Sequence, residues 1–308
     1  MVEVSGSRGG GEALDRGGSL TSPRVVRELL DSAGIHPSRG MGQNFLVDAN
    51  VLDIIEKAAG LSGTDTVVEV GAGLGALTGR LVERCREVFA LESDARLLRL
   101  LGELLGASGN LRMIEADAVR FDLEGLWNGP PGGTVKMVSN LPYQIAATLI
   151  VDWLILYPWL AEYTVMIQRE VADRMTAAPG GKDYSAATVK IQHRASATRV
   201  ARVSRNCFYP RPGVDSAIVH IVRHNAGGVR DADGRDGDER LFDLAVTAAF
   251  QQRRKKLANS VSSCPAVSAG PREVAGALAN LGIDPGSRAA DLSPADYVAL
   301  VAELGRVT

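Results

Sequence analysis

From Asp65 onward the apolar positions of this chain alternate between two rhythms. The run TVVEVG (66–71) predicts a buried strand, and EVFALE (87–92), LRMIEAD (111–117) and VKMVSN (135–140) predict further strands. YTVMIQRE (163–170) predicts a further strand that runs into VADRMTA. Between them, ALTGRLVERC (76–85), ARLLRLLGELLG (95–106) and residues 144–156 carry helical spacing. Strands alternating with helices predict a parallel sheet covered on both sides, an α/β fold. TRVARVSR (198–205) and AIVHIVR (217–223) add two short strand-like runs around a proline-rich turn, FYPRPGVDS (208–216).

The pattern is absent at two places. Residues 1–20 are glycine-rich with no core periodicity and are expected to be a disordered tail. Residues 224–238, rich in Gly and Asp, are expected to be a linker. They bracket a domain over 21–223 and a smaller, helical one over 239–308. Ser22-Pro23 predicts an N-cap and first-turn proline for a helix through about Ala33. In the small domain one helix is expected over LFDLAVTAAFQQRRKKLANSV (241–261) and a second over PREVAGALANLG, stopped by Gly282. A third opens with Ser293 as N-cap, Pro294 at its first position and Asp296 completing a capping box.

Composition narrows the class. With 308 residues and 45% hydrophobic content the chain can bury a sizeable core, and its formal charge of -2 confines any nucleic-acid site to local basic patches. Cys85, Cys207 and Cys264 are odd in number and widely spaced, which speaks against a disulfide framework or a zinc site and for a reducing, cytoplasmic setting. No secretory signal is expected at the N-terminus. IAATLIVDWLIL (145–156), the longest apolar run, is too short to span a bilayer and contains Asp152, so no membrane partner is expected.

Chemistry gathers where strands end. VVEVGAGLGALT places Gly71, Gly73 and Gly75 between a strand and a helix, where backbone can approach a ligand closely. Glu92 closes the next strand 21 residues after Gly71, at the offset of a carboxylate that accepts ribose hydroxyls. With Ala76 in the last place, the loop also fits the dinucleotide fingerprint, so alone it specifies only an adenosine-type ligand. Glu69, two residues before the first glycine, is expected to hold the loop through its backbone N–H groups. Asp117 ends a third strand, placed to accept from an adenine amino group. Together these positions resemble the S-adenosylmethionine site of Rossmann-like class I methyltransferases.

The fourth strand end carries Asn140-Leu141-Pro142-Tyr143. Proline stops the strand and fixes the turn. An exocyclic amino nitrogen of a base is a poor nucleophile because its lone pair is delocalised into the ring. If the Asn140 side-chain oxygen and a nearby backbone carbonyl accept its N–H bonds, the lone pair localises towards an incoming methyl group. Tyr143 offers a π face to a flipped-out base.

With these motifs in order, the chain resembles the KsgA/RsmA family of ribosomal RNA adenine dimethyltransferases from about Pro37 to its end. GQNFL (42–46) is similar to the family's opening motif, which implies cofactor contacts at Asn44 and Leu46. EVGAGLGALT, ALESD, EADA and SNLPY match its glycine, ribose, adenine and catalytic segments. FYPRPGVDSAIV resembles the segment placed on the far side of the target base, implying that Phe208 stacks opposite Tyr143. AFQQRRKKLANSV resembles a basic segment of the family's helical domain.

The resemblance implies dimethylation of two adjacent adenines in the 3′-terminal hairpin of 16S rRNA within an immature 30S subunit. S-adenosylmethionine would be the donor and S-adenosylhomocysteine the product, with a monomeric protein and no metal. Arg253, Arg254, Lys255 and Lys256, on a helix, and Arg211 among a second basic group are the expected RNA contacts. The alternatives are an Erm-type methyltransferase of large-subunit rRNA, a nicotinamide-dependent dehydrogenase favoured only by the glycine loop, and a non-catalytic assembly factor on the same fold.

Overall fold

The structure, a computed structural model, describes residues 19–37, 43–126, 133–224 and 238–307. Most of the expected tail, most of the expected linker and Gly42 of the GQNFL motif lie outside the described residues.

Seven strands form one sheet. They are β2 (Thr66–Val70), β3 (Glu87–Glu92), β4 (Leu111–Glu115), β5 (Val135–Asn140), β6 (Leu160–Gln168), β7 (Ala195–Val203) and β9 (Ser216–Arg223), in the spatial order β4-β3-β2-β5-β6-β9-β7. β9 runs antiparallel to both its neighbours, while the pairs from β4 to β6 are all parallel. Two short strands, β1 (Phe45–Leu46) and β8 (Phe208–Tyr209), make a separate antiparallel ribbon. The α3 (Ala76–Arg84), α4 (Ala95–Leu105) and α5 (Ala146–Leu156) crossovers follow β2, β3 and β5.

Two helices, α2 (Ala49–Ala59) and α7 (Ala186–Arg194), were not legible in the apolar pattern. α2 is capped by Asp48, whose carboxylate accepts from the Asn50 and Val51 N–H groups, and ends on Gly60 in the left-handed region. α7 opens with a Ser185–Thr188 capping box. α1 (Pro23–Ser32) starts where Ser22-Pro23 predicts, although Ser22 makes no side-chain cap bond. α6 (Arg169–Met175) follows β6 directly, as the sequence suggests.

Beneath the sheet's opening edge, Lys136 is buried in β5. Its ammonium lies 3.2 Å from Asp65 and donates to the Ala59 and Gly60 carbonyls at the end of α2. That charge compensates both a carboxylate and a helix C-terminus, which is why a lysine persists there.

The C-terminal helices are α8 (Glu239–Gln251), α9 (Leu257–Val261), α10 (Pro271–Asn280) and α11 (Pro294–Val307). Ser293 and Asp296 form the expected capping box, and Gly282 adopts φ +71° just past α10. The single helix expected over 241–261 is broken. The chain leaves helical geometry at Gln252 and re-enters at Leu257, whose N–H donates to Ser287, so that Leu257 and Val261 can be buried. Arg253, Arg254, Lys255 and Lys256 therefore sit on a turn, not on a helix face. The core of these helices also takes in Tyr184 and Val189, from before the expected boundary. Arg194 of α7 is tied to Asp243 of α8 by two hydrogen bonds, at 3.1 and 2.9 Å.

Candidate active site

In such sheets a crevice opens where strand order reverses, here between β2 and β5. Their pairing covers Thr66–Val68 against Val135–Met137 and then stops, although β2 runs on to Val70 and β5 to Asn140. The strands part, and the fully buried Ser139 hydroxyl fills the gap by accepting the Val70 N–H at 2.9 Å. Without it a buried N–H would go unpaired, at a cost of about 1–3 kcal/mol. Nothing in the apolar pattern marks Ser139 for this position.

The cavity above this gap is lined by Asn44, Leu46, Glu69, Gly71, Gly73, Glu92, Asp117 and Asn140 through Tyr143, all the expected cofactor and strand-end residues. Gly71 has φ +74°, and a Cβ there would lie 3.2 Å from Pro142 Cδ. The glycine loop and the Asn-Leu-Pro-Tyr turn thus pack backbone to ring. At Gly75 a Cβ would meet Leu101 Cδ1 at 2.5 Å, so the third glycine serves close packing on α4.

Two expectations change here. Glu69 does not hold the loop: the Gly71 N–H donates to the Leu91 carbonyl, and the Gly73 N–H donates to Glu92 Oε2 at 3.0 Å. Glu92 Oε1 accepts from the Ser93 and Asp94 N–H groups. The Glu92 carboxylate is thereby pinned by three backbone N–H groups. Glu69 is instead fully buried, and its Oε2 has no hydrogen-bond partner among the described residues. Burial pushes its carboxyl up to about 8; the nearby Thr78 hydroxyl opposes the rise, and the neighbouring Glu92 charge adds to it. Asp117 lies two residues beyond the end of β4, and its Oδ1 accepts from the Val119 N–H, as a turn cap does. It still lines the cavity.

Around the turn, the Asn140 amide NH₂ donates to the Asn44 carbonyl at 3.2 Å. The Leu141 N–H donates to Met166 and the Ile145 N–H to Pro142, fixing the backbone. Tyr143 shares a 2.6 Å hydrogen bond with the buried Ser216 hydroxyl of β9. Burial raises its phenol above the usual range, so it stays neutral at physiological pH. Gln43 also reaches the site, donating to Asp94 Oδ2 at 3.3 Å. Asp94 caps α4, and its hydrogen bonds with Arg96 hold its carboxyl down to about 2.

A second cavity adjoins the first. It is lined by Asn44, Tyr143, Gln144, Gln168, Arg205 and the turn Pro210–Val214, and so includes Arg211. Asn44 and Tyr143 face both cavities. Phe208 lines neither; it is 4% exposed, paired with Leu46 in the β1–β8 ribbon, so stacking opposite Tyr143 is not the arrangement found. Among the basic residues of the small domain, the Arg253 guanidinium donates to the Gly181 and Lys182 carbonyls. Arg254, Lys255 and Lys256 are exposed.

A sequence model of the family described as ribosomal RNA adenine dimethylase matches residues 37–305. The chain belongs to that family. The ribosomal RNA small subunit methyltransferase A of Pelotomaculum thermopropionicum is 40% identical over 290 residues, covering 91% of this chain and 96% of that protein. Its counterpart in Moorella thermoacetica is 38% identical over 288 residues, 92% of this chain and 97% of the other. Among solved structures, a dimethyladenosine transferase from Plasmodium falciparum superposes with a TM-score of 0.69 at 24% identity, covering 85% of this chain and 97% of that one. The 23S rRNA methyltransferase ErmE gives 0.63 at 28% identity, covering 85% and 100%. The fold is the class I methyltransferase fold, and the chain is an enzyme of the rRNA adenine dimethyltransferase family. No helix among the described residues is long and apolar enough to cross a membrane.

Proposed function

We propose that this chain transfers methyl groups from S-adenosylmethionine to the N6 amino groups of two adjacent adenines in the 3′-terminal hairpin of 16S rRNA, acting as a monomer on an immature 30S subunit in the cytoplasm, without a metal. One observation carries the reading: the cavity lined by the glycine loop meets a second cavity at Asn44 and Tyr143, beside Asn140.

The first cavity suits the donor. Glu92 is fixed where ribose hydroxyls can donate to it, Asp117 is within the same wall, and Glu69, whose Oε2 has no partner among the described residues, supplies a buried polar group to a cationic ligand. When bound, the donor would supply an electrophilic methyl group. The chain's own residues prepare the acceptor. Because the Asn140 NH₂ is held by Asn44, the side chain turns its oxygen to the target amino group. The Pro142 carbonyl is taken by the Ile145 N–H, which leaves the Leu141 carbonyl as the second acceptor. Two accepted N–H bonds localise the nitrogen lone pair, and Tyr143 holds the base in plane while the Pro210–Val214 turn closes its other side. Transfer would break the donor's sulfur–methyl bond as the nitrogen–methyl bond forms, and the cationic nitrogen would then lose one proton to water. It keeps one N–H, so a second round needs room for the first methyl and has one accepted N–H bond.

The small domain, 239–308, is assigned to the RNA side, with Arg254, Lys255 and Lys256 as phosphate contacts. Relatives named for the small subunit, at 38–40% identity, favour that substrate over the large-subunit rRNA named for ErmE, at 28%. Incubation with tritium-labelled donor and immature 30S particles should place label on two adjacent adenines near the 3′ end of 16S rRNA. Label in 50S particles, or none, overturns the reading.

A further inference from the structure

α1 lies outside the stretch matched by the family model, yet it walls the donor cavity. Leu20, in the turn before it, and Val26, in its first turn, both line that cavity and are 3% and 1% exposed. Val26 shares a buried cluster with Leu97, in the helix that follows Glu92, and with Leu74 of the glycine loop. This sets Val26 on the Glu92 side of the chamber, and Leu20 lines the same cavity. The helix is held down further along by Leu30, which shares a small core with Phe45. On its outer side the Arg27 guanidinium stands 5.3 Å from the centre of the Tyr209 ring, and Tyr209 pairs with Phe45. An amphipathic helix usually buries its stripe against side chains alone; here part of the stripe faces a cavity.

We propose that α1 and its preceding turn form the roof of the donor chamber, with Leu20 and Val26 in contact with the ribose–adenine half of the ligand. The inference rests on the S-adenosylmethionine reading above. An apolar roof removes water from the hydrogen bonds around Glu92, and it must lift for S-adenosylhomocysteine to leave. Ligand exchange is therefore slowed by residues that play no part in methyl transfer.

Two measurements on the full chain test this. The Leu20→Ala/Val26→Ala double variant should bind S-adenosylhomocysteine at least tenfold more weakly by calorimetry, with faster dissociation in stopped flow. In the unaltered protein, backbone amides of residues 26–32 should exchange hydrogen more slowly once S-adenosylhomocysteine is saturating. The second measurement stands even if the variant fails to fold. Affinity within twofold of the parent, or amide exchange that does not respond to ligand, overturns the roof. An unaltered protein that binds no S-adenosylhomocysteine overturns the donor reading itself, which is a different result from a parent and variant that bind equally.

Discussion

The strand-end cavity and the basic turn of the C-terminal helices both expose polar groups to a ligand, and they do so in opposite ways. Around Asn140 the groups are held in advance: its NH₂ by Asn44, Glu92 by three backbone N–H groups, Tyr143 by Ser216. At the basic turn Arg253 alone has its side chain tied among the described residues, to the carbonyls of Gly181 and Lys182, while Arg254, Lys255 and Lys256 are exposed. The difference fits the tasks proposed for the two regions. Stabilising developing charge demands fixed dipoles, whereas neutralising phosphates requires only positive charge nearby. A long side chain left free can follow an RNA backbone.

That contrast can be broken experimentally, starting with the largest effect. Asn140→Ala should lower the methyl-transfer rate by about a thousandfold, the scale of losing one preorganised polar group in an active site, with RNA binding retained. Labelled-methyl transfer and filter binding check both halves, and near-normal turnover would mean the turn is not the catalytic element.

Next comes pH. The Glu69 carboxyl, raised to about 8, binds a proton in the folded state that the unfolded chain gives up near its ordinary value of 4.5. Between those two values the folded state holds more protons, so stability falls as pH rises, by at most roughly 5 kcal/mol. Glu69→Gln should flatten that slope in urea titrations across the window; an unchanged slope would show that the carboxyl is hydrated.

Gly71→Ala should cost about 1–3 kcal/mol of stability, because φ +74° strains any L residue and the new Cβ presses on Pro142. Denaturant unfolding reads it directly. A neutral result would mean that the loop and the Asn-Leu-Pro-Tyr turn are less tightly packed than their geometry shows.

The smallest effect separates the two kinds of arginine. Arg254→Glu with Lys255→Glu should weaken RNA binding by about tenfold at low salt and reduce the salt slope by about two. Arg253→Glu should lower thermal stability more than it changes that slope, since its guanidinium is committed to the 181–182 loop. If both variants behave alike, the distinction between tied and free cations fails.

Much of the fold was legible in the chain. The buried strands β2, β3 and β5 are short apolar runs between glycine, proline and acidic punctuation, and their periodicity needs no partner to be read. α7 was not, because its buried positions are filled by Thr188, His193 and Arg194 as well as aliphatic residues. The break between α8 and α9 was hidden for a related reason: the local sequence favours a helix, and only the burial of Leu257 and Val261 against other helices overrides it. Phe208 was identified by its place in a motif, but pairing with Leu46 draws it into the core. Leu20 fell inside the expected disordered tail and Val26 looked like any apolar helix position, until the fold buried both against a cavity.

By itself the sequence determined which residue types stand at the carboxyl ends of four strands, because strand termination by Gly, Pro and acidic residues is a local matter of backbone sterics and hydrogen bonding. It also determined the family. The tertiary structure alone decided what each of those groups touches: that Glu92 rather than Glu69 holds the glycine loop, that Ser139 bridges the parted strands, and that Asn140 is oriented by a carbonyl 96 residues away in sequence. Such contacts depend on how strands are ordered and where they diverge, and that is set by the packing of the whole sheet.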